Sequence, residues 1–190
     1  VTSENILEYT FNTSPIDWKV ESGRWVLLNK WICDPRWSWF GGRSKTLAAL
    51  WNKNVFSGDT SVDAFVALMM QRDDPPFERP GDYNIALCGD GVNLYSGYTL
   101  IFAGDNNSWT RLYRKGQLVA ESTLEDHRIF GDRVRHPDKP DLHQRWFHVK
   151  LEKVGNVVSF YRDGKAAFSF SDPDPLPEGR VAFWTLDNGF

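Results

Sequence analysis

The chain has 190 residues, 22 basic and 25 acidic side chains, a net charge of −3 and an apolar fraction of 41%. This length and apolar fraction predict a single domain, residues 1–190, with a substantial core. The lack of a positive field or of a Lys/Arg run argues against a nucleic acid partner, and no apolar run approaches the ~20 residues that span a bilayer.

Short segments rich in Val, Ile, Phe, Tyr, Trp and Thr alternate with turn residues along the chain. This pattern predicts an all-β domain. Twelve strands are expected, at residues 6–11, 24–29, 46–51, 61–71, 82–88, 98–103, 110–114, 117–121, 145–153, 157–162, 166–170 and 180–185. So many strands in one domain predict two stacked antiparallel sheets.

Three of the nine tryptophans lie close together, among Pro and Gly residues that are typical of a loop. One interpretation is that Trp31, Trp37 and Trp39 form a platform for a sugar ring, while Arg36 and Arg43 donate hydrogen bonds to hydroxyls or to a carboxylate. The alternative is that this segment closes one end of a sandwich and that its indoles belong to the core.

A second candidate site lies on the strand predicted at residues 110–114 and its neighbours. Alternation puts Trp109, Arg111 and Tyr113 on one side of that strand, so that an indole, a guanidinium and a phenol share a face. Asn84 and Tyr98, from nearby predicted strands, extend this set. Such a face could grip a sugar, or it could be an exposed sheet surface with cross-strand aromatic–arginine pairs.

Residues 146–165 predict a hairpin, with a turn at Gly155-Asn156. Its alternation separates an apolar face from a mostly polar one. The apolar face consists of Phe147, Val149 and Leu151, and the other face of Trp146, His148, Lys150 and Glu152.

The long polar stretch 122–144 is expected to be a functional flap rather than a disordered segment. It contains His127, His136 and His143, whose irregular spacing argues against a zinc site. The two cysteines, Cys33 and Cys88, are compatible with one disulfide or with two buried thiols.

Several motifs together resemble the concanavalin A-like lectin/glucanase superfamily, which includes laminin-G-like sandwiches, and in particular its bacterial members found with polysaccharide-degrading proteins. They are Trp18-Lys-Val-Glu-Ser-Gly23 followed by Trp25, Phe56-Ser-Gly-Asp59, the hairpin at 146–165 and Gly179-Arg-Val-Ala-Phe-Trp184. The resemblance implies an antiparallel two-sheet jelly-roll β-sandwich. The Glu-x-Asp-x-x-Glu strand of the β-glucan-cleaving members and the Arg-rich and Gln-x-His strands of the alginate-lyase-like members are absent from the sequence.

The same resemblance bears on metal binding. Asp59 and Asp187 occupy positions like those at which related sandwiches hold a calcium ion at the rim, and oxygen ligands suit that ion. A structural calcium is therefore the cofactor to be considered.

The predicted function is non-catalytic carbohydrate binding, by a module of a secreted or surface-attached bacterial polysaccharide-processing system. The chain begins at Val1, which fits a processed secreted protein or a module excised from a larger protein with other domains. The expected location is extracellular, periplasmic or on the cell surface.

Two alternatives stay open. The first is a β-sandwich glycoside hydrolase or polysaccharide lyase; in a lyase, His148 or Tyr113 would act as the base and Arg111 or Lys150 would neutralise a uronate. The second is a laminin-G-like protein-interaction domain, in which exposed aromatic side chains would form the contact patch.

Overall fold

The computed structural model describes residues 6–29, 38–68, 82–122 and 146–190. The regular structure in these ranges consists of strands and one helical turn. None of the described helical structure is long and apolar enough to cross a membrane. The elements are β1 (Trp18–Ser22), β2 (Arg24–Asn29), β3 (Ser38–Asn52), β4 (Phe56–Ser57), β5 (Thr60–Ala67), β6 (Tyr83–Gly89), β7 (Tyr98–Ala103), α1 (Gly104–Asn107), β8 (Trp109–Arg114), β9 (Gln117–Ser122), β10 (Trp146–Val154), β11 (Val157–Arg162), β12 (Lys165–Ser171) and β13 (Glu178–Gly189).

The strands form two antiparallel sheets. In the larger sheet the strand order is β1-β3-β13-β6-β7-β8-β9, with β2 paired to β3 and β4 paired to β13. The smaller sheet has the order β12-β11-β10-β5. Neighbours such as β13 and β3 are far apart in sequence, which is the connectivity of a jelly roll and not of a simple meander. The all-β, two-sheet prediction is confirmed.

The core lies between the two sheets. Alternate side chains of the smaller sheet point inward, and Phe147, Val149 and Leu151 of β10 are fully buried, as the hairpin pattern predicts. They meet inward-facing residues of the larger sheet such as Ile85 and Leu100, which are also fully buried. Burial of each large apolar side chain stabilises the fold by about 1.5–3 kcal/mol.

The predicted strand at residues 6–11 is wrong. Ile6 is 78% exposed and Leu7 46%, so these apolar residues cover no core. Phe11 has a φ of 57°, which an extended strand does not allow. The segment is instead held by its side chains, since the Tyr9 hydroxyl donates to the Asp17 carboxylate over 3.0 Å.

The other eleven predicted strands each correspond to a strand of the structure, although several of their ends differ. Two short strands, β1 and β4, were not predicted. The five residues of β1 include Lys19 and Glu21 and show little apolar alternation, so their pairing with β3 is visible only in the folded chain. Residues 69–71 of one predicted strand lie outside the described ranges.

Candidate functional site

A row of paired residues crosses six strands on the outer face of the larger sheet. Directly paired residues of antiparallel strands project to the same side, so every member of this row faces away from the core. Two strand spacings place the Cα atoms of Asn84 and Arg111 about 10 Å apart. From β3 to β9 the row is Ala49, Trp184, Asn84, Ile101, Arg111 and Glu121.

Strand β8 supplies the most accessible part of this face. Thr110 and Leu112 are fully buried toward the core, whereas Trp109, Arg111 and Tyr113 are partly exposed on the opposite side. The three side chains therefore share a face, as the alternation predicts. Together they offer aromatic surface and hydrogen-bond donors within one strand.

The Arg111 guanidinium is held by contacts with Glu121, Trp109 and Tyr113. Its Nε donates to the Glu121 carboxylate, and its Cζ lies 4.1 Å from the centre of the Trp109 ring. The pKa of Arg111 is raised, chiefly by the hydrogen bond to Glu121. The indole also packs tightly on Gly104, where an added Cβ would lie 2.3 Å from the ring. A side chain at position 104 would displace Trp109.

The connection between β6 and β7 folds over the same face. Asp90 Oδ1 accepts hydrogen bonds from the backbone N–H groups of Val92 and Asn93, each over 2.8 Å. Burial raises the pKa of Asp90, but these backbone hydrogen bonds outweigh that effect and the pKa is lowered overall. The Thr99 hydroxyl donates to the Leu94 carbonyl oxygen over 2.6 Å, which ties the connection to β7.

This connection positions Tyr95 between two aromatic residues of the sheet. Its ring meets Trp184 edge-on at 5.8 Å and Tyr113 at 5.5 Å between centroids. Trp184 and Tyr113 belong to β13 and β8, with β6 and β7 between them, so Tyr95 extends across the middle of the face. Its side chain is 36% exposed and forms an accessible aromatic wall.

Asn84 lies in the middle of this arrangement with its hydrogen-bonding capacity unused. It is fully buried, and neither its amide nitrogen nor its amide oxygen has a hydrogen-bond partner in the described part of the chain. The same holds for Nε1 of Trp184. A buried polar group without a partner costs about 1–3 kcal/mol, and Asn84 shares this state with groups elsewhere in the protein, such as Nε1 of Trp18 and of Trp51. We call Asn84, Tyr95, Trp109, Arg111 and Tyr113 the β8 site.

Tyr98 does not belong to this site, and its prediction as a ligand-binding residue is wrong. It is fully buried on the inner side of β7, because its neighbour Thr99 occupies the outward position. Its hydroxyl donates to Asp172 over 2.6 Å and accepts from the N–H of Leu176 over 3.0 Å. Burial, reinforced by the neighbouring Asp172 carboxylate, raises the pKa of Tyr98 to about 12.

The tryptophan–arginine cluster is separate from the β8 site. Trp31, Arg36 and Trp37 lie outside the described residues. Trp39 and Arg43 are half-buried on β3, paired with β2. Strands β13, β6 and β7 lie between β3 and β8, a lateral distance of about 19 Å. The structure does not bring the two candidate clusters together, and ligand binding by Trp39 and Arg43 stays a prediction.

The residues considered for lyase chemistry do not all converge. His148 faces outward from the smaller sheet, where its Nε2 lies 2.6 Å from the Asp63 carboxylate and its ring packs on Phe65 at 4.9 Å. Arg111 and Tyr113 face outward from the larger sheet, and stacked sheets are about 10 Å apart. Since the whole sandwich separates His148 from the other two, His148 cannot act together with Arg111 or Tyr113. Tyr113 with Arg111 on the larger sheet, or His148 with Lys150 on the smaller sheet, stays a prediction.

Asp59 and Asp187 cannot share a calcium ion. Asp59 follows β4, which pairs with the first residues of β13, and its Oδ1 accepts from the N–H of Gly155 over 2.7 Å. Asp187 lies near the other end of β13, where Lys45 approaches it at 3.7 Å. Nine residues of strand, roughly 25–30 Å, separate the two positions.

The remaining predictions concern metal-binding and cysteine residues, of which Cys33 lies outside the described residues. Among the described residues there is no group of three or more His, Cys, Asp or Glu side chains suited to a metal ion. Cys88 is a free, buried thiol whose pKa is raised by burial. Residues 123–144 of the expected flap, with His127, His136 and His143, lie outside the described residues.

Two residues of this face were not singled out in the sequence. Trp184 follows Phe183 in β13, and because both neighbours are large and aromatic, alternation does not reveal which one faces outward. Glu121 lies opposite Arg111 only because the pairing of β8 with β9 shifts between Leu112 and Tyr113. A regular two-residue hairpin would have placed Ala120 there.

Comparison with known proteins identifies the fold. No family model and no curated protein matches the chain. Among solved structures, the carbohydrate-binding module CBM66 from Bacillus subtilis is 14% identical with a TM-score of 0.60, and the alignment covers 91% of this chain and 89% of that one. A Bacillus licheniformis beta-glucanase is 11% identical with a TM-score of 0.57, covering 94% and 83%.

The exoplasmic/lumenal domain of VIP36, in a Ca2+/Man-bound form, is 10% identical with a TM-score of 0.57, covering 92% of this chain and 82% of that one. A carbohydrate-binding module, a glucanase and the VIP36 domain thus share one architecture with this chain at very low identity. The chain has the concanavalin A-like jelly-roll fold, and the resemblance seen in its motifs is confirmed at that level.

Proposed function

We propose that this domain binds carbohydrate, without cleaving it, through the β8 site. The observation that carries the proposal is that Trp109, Arg111 and Tyr113 share one partly exposed face with Tyr95, next to the unpaired amide of Asn84. A sugar ring has apolar C–H faces that pack on aromatic side chains and hydroxyls that both donate and accept hydrogen bonds. This face offers partners for both.

The similar solved structures also support the proposal of carbohydrate binding, because they include a carbohydrate-binding module and a carbohydrate recognition domain. The glucanase among them has the same fold, so the experiment must also test whether the domain cleaves the glycan. We further propose that the domain works on an extracellular, periplasmic or cell-surface glycan, as one module of a larger polysaccharide-processing protein. A structural calcium stays part of the proposal, supported by the Ca2+/Man-bound form of the similar VIP36 domain, although Asp59 and Asp187 lie too far apart to bind one ion together.

The test replaces one accessible aromatic residue of the site and one outside it. Tyr113→Ala removes an aromatic contact worth about 1–2 kcal/mol, so affinity for a retained glycan is expected to fall about 5–30-fold. Tyr161→Ala is the matched control, because Tyr161 is a half-buried tyrosine on the outer face of the smaller sheet. Affinity is measured by electrophoresis through gels containing neutral or acidic polysaccharides.

Equal losses in both variants, or a loss in Tyr161→Ala alone, would place binding elsewhere. Trp39→Ala in the same gels tests the separate tryptophan–arginine cluster. Each glycan is also incubated with the protein and examined for new reducing ends and for the absorbance of unsaturated products. Either product would show that the domain cleaves the glycan and would contradict the proposal of binding without cleavage. Parallel gels with calcium and with EDTA test the calcium proposal.

A further inference from the structure

We propose that the β8 site selects neutral sugars over uronates, and that Glu121 is the residue that sets this preference. The inference rests on the proposed carbohydrate-binding function and adds to it a substrate class. It starts from Arg111, the residue of the site that would otherwise attract a carboxylate, because guanidinium groups pair strongly with carboxylates.

Glu121 already forms an ion pair with that guanidinium. The Nε of Arg111 donates to Glu121 Oε2, and the Trp109 ring lies against the guanidinium at 4.1 Å. Both partners are at the surface of the site, with side-chain exposures of 31% for Arg111 and 36% for Glu121. A ligand that reaches Arg111 therefore also meets the Glu121 carboxylate, and the two charges cancel.

The remaining hydrogen-bonding groups of the face near Arg111 are neutral or acidic. Asn84 and the hydroxyls of Tyr95 and Tyr113 carry no charge at neutral pH. Asp82 directly precedes β6, two residues before Asn84. It accepts hydrogen bonds from the hydroxyl of Thr185 and the N–H of Leu186. It adds negative charge near the site.

Arg180, another described arginine of the larger sheet, is too far away to attract a carboxylate to the site. It lies four residues before Trp184 on β13, about 13 Å along the strand. Its Nε and Nη1 donate to the carbonyl oxygens of Lys53 and Asp90, over 3.4 and 3.5 Å. A carboxylate at Arg111 would therefore meet a like charge from Glu121 that Arg180 is too distant to offset.

Neutral hydroxyls suit the same pair. Arg111 has donors beyond Nε, and Glu121 has a second oxygen that can accept. A hydroxyl donates and accepts, so it can bridge the two groups without like-charge repulsion. An Arg–Glu pair at the surface of a binding face is thus a neutral hydrogen-bonding unit.

The experiment compares a glycan with its own acidic derivative. The probe is a neutral polysaccharide that retards the protein in gels, used as such and after oxidation of its C6 hydroxyls to carboxylates. The wild-type protein is expected to bind the oxidised form about tenfold less tightly or worse. Glu121→Gln keeps the shape of the side chain and removes its charge, so it is expected to close most of that difference.

Glu178→Gln is the matched control, since Glu178 is an exposed glutamate at the start of β13, far from Arg111, and loses the same charge. It should leave the tenfold preference unchanged. Glu121→Gln should raise the affinity for the oxidised glycan less at high salt than at low salt. The repulsion that the substitution removes comes from an exposed charge, which salt screens.

Equal or tighter binding of the oxidised glycan by the wild type would overturn the preference while leaving carbohydrate binding intact. An unchanged preference in Glu121→Gln, or an equal change in Glu178→Gln, would overturn the role of Glu121. Failure to bind any glycan, neutral or acidic, would instead remove the proposed function and this inference with it.

Discussion

Two buried asparagines show how much the surroundings of a single residue matter. Asn84 and Asn52 are 0% and 1% exposed, each within a strand of the larger sheet. Asn52 donates to the Tyr9 hydroxyl over 3.2 Å and accepts from the N–H of Asn54 over 2.8 Å. Asn84 has no such partner in the described part of the chain. The same residue type therefore stabilises one position and costs free energy at the other.

This contrast predicts opposite responses to the same substitution. Asn84→Val is expected to leave the free energy of unfolding unchanged or to raise it by about 1 kcal/mol, because an unpaired buried amide is replaced by an apolar side chain of similar size. Asn52→Val is expected to lower it by about 1–3 kcal/mol, because Tyr9 and Asn54 lose their partner. Urea unfolding followed by tryptophan fluorescence measures both values.

A loss of stability in Asn84→Val as large as that in Asn52→Val would mean that Asn84 is satisfied in the protein, and it would weaken the assignment of the β8 site. A stable Asn84→Val protein with reduced glycan affinity would instead strengthen that assignment, because stability and binding would then respond in opposite directions.

At the scale of the elements, the connection from β12 to β13 is fastened by one carboxylate. Asp172 is 1% exposed and accepts hydrogen bonds from the Tyr98 hydroxyl, from Nε of Arg114 and from the N–H of Asp174. The N–H of Leu176, in turn, donates to Tyr98. These bonds tie a proline-containing connection to the ends of β7 and β8, which carry the β8 site.

The pH dependence of stability follows from the same carboxylate. Burial raises the pKa of Asp172, but hydrogen bonds from Tyr98 and Arg114 outweigh that effect and lower it overall. A pKa lower in the folded than in the unfolded state, about 3.9 for Asp, stabilises the fold above that pH. The stabilisation is then lost as the pH falls from about 4 through the folded-state pKa.

Asp172→Asn is therefore expected to lower the unfolding free energy at pH 7 by about 2–3 kcal/mol and to flatten its decline below pH 4. Asp174→Asn is the matched control, because the Asp174 side chain is 94% exposed and only approaches Arg114 at 3.4 Å. It should change stability little at any pH. Urea unfolding at a series of pH values measures both variants, and a wild-type-like pH profile for Asp172→Asn would contradict the assignment.

A second element-scale feature, the shifted pairing of β8 and β9, decides the chemistry of the candidate site. The turn at Lys115-Gly116 would by itself pair Arg111 with Ala120. The shift between Leu112 and Tyr113 moves Glu121 into that place. The charge pair that governs our substrate-class proposal thus depends on one irregularity of pairing.

At the scale of the whole molecule, aromatic side chains join the two sheets. Phe160 of β11 lies 6.0 Å from Phe102 of β7 and 5.6 Å from Phe168 of β12, measured between ring centroids. Phe102 also meets Phe147 of β10 at 5.6 Å. Since the two contacts of Phe102 cross from one sheet to the other, neither sheet buries its inner face without its partner.

Phe160→Ala is accordingly expected to lower the unfolding free energy by about 3–5 kcal/mol. Phe65→Ala is the matched control, because Phe65 is 72% exposed, and a change of less than about 1 kcal/mol is expected. Unfolding is followed by tryptophan fluorescence and by far-UV circular dichroism. Coincident transitions would support a single cooperative domain, and separate transitions would contradict that prediction.

Local pattern was enough to predict the fold class, most of the strands and the inward face of the hairpin, because alternation and turn residues act over a few neighbouring positions. Phe147, Val149 and Leu151 are buried for this reason. The shared outward side of Trp109, Arg111 and Tyr113 on β8 follows from the same two-residue period.

Pairings between distant segments could not be predicted in this way. Tyr98 lies in a strand that is buried on both sides, so its sequence pattern does not distinguish an inward from an outward position. His148 and Arg111 belong to different sheets, and Asp59 and Asp187 lie near opposite ends of β13. Only tertiary structure decides which side chains meet, because it alone establishes sheet order and register, and these placed Trp184, Asn84, Arg111 and Glu121 in one row.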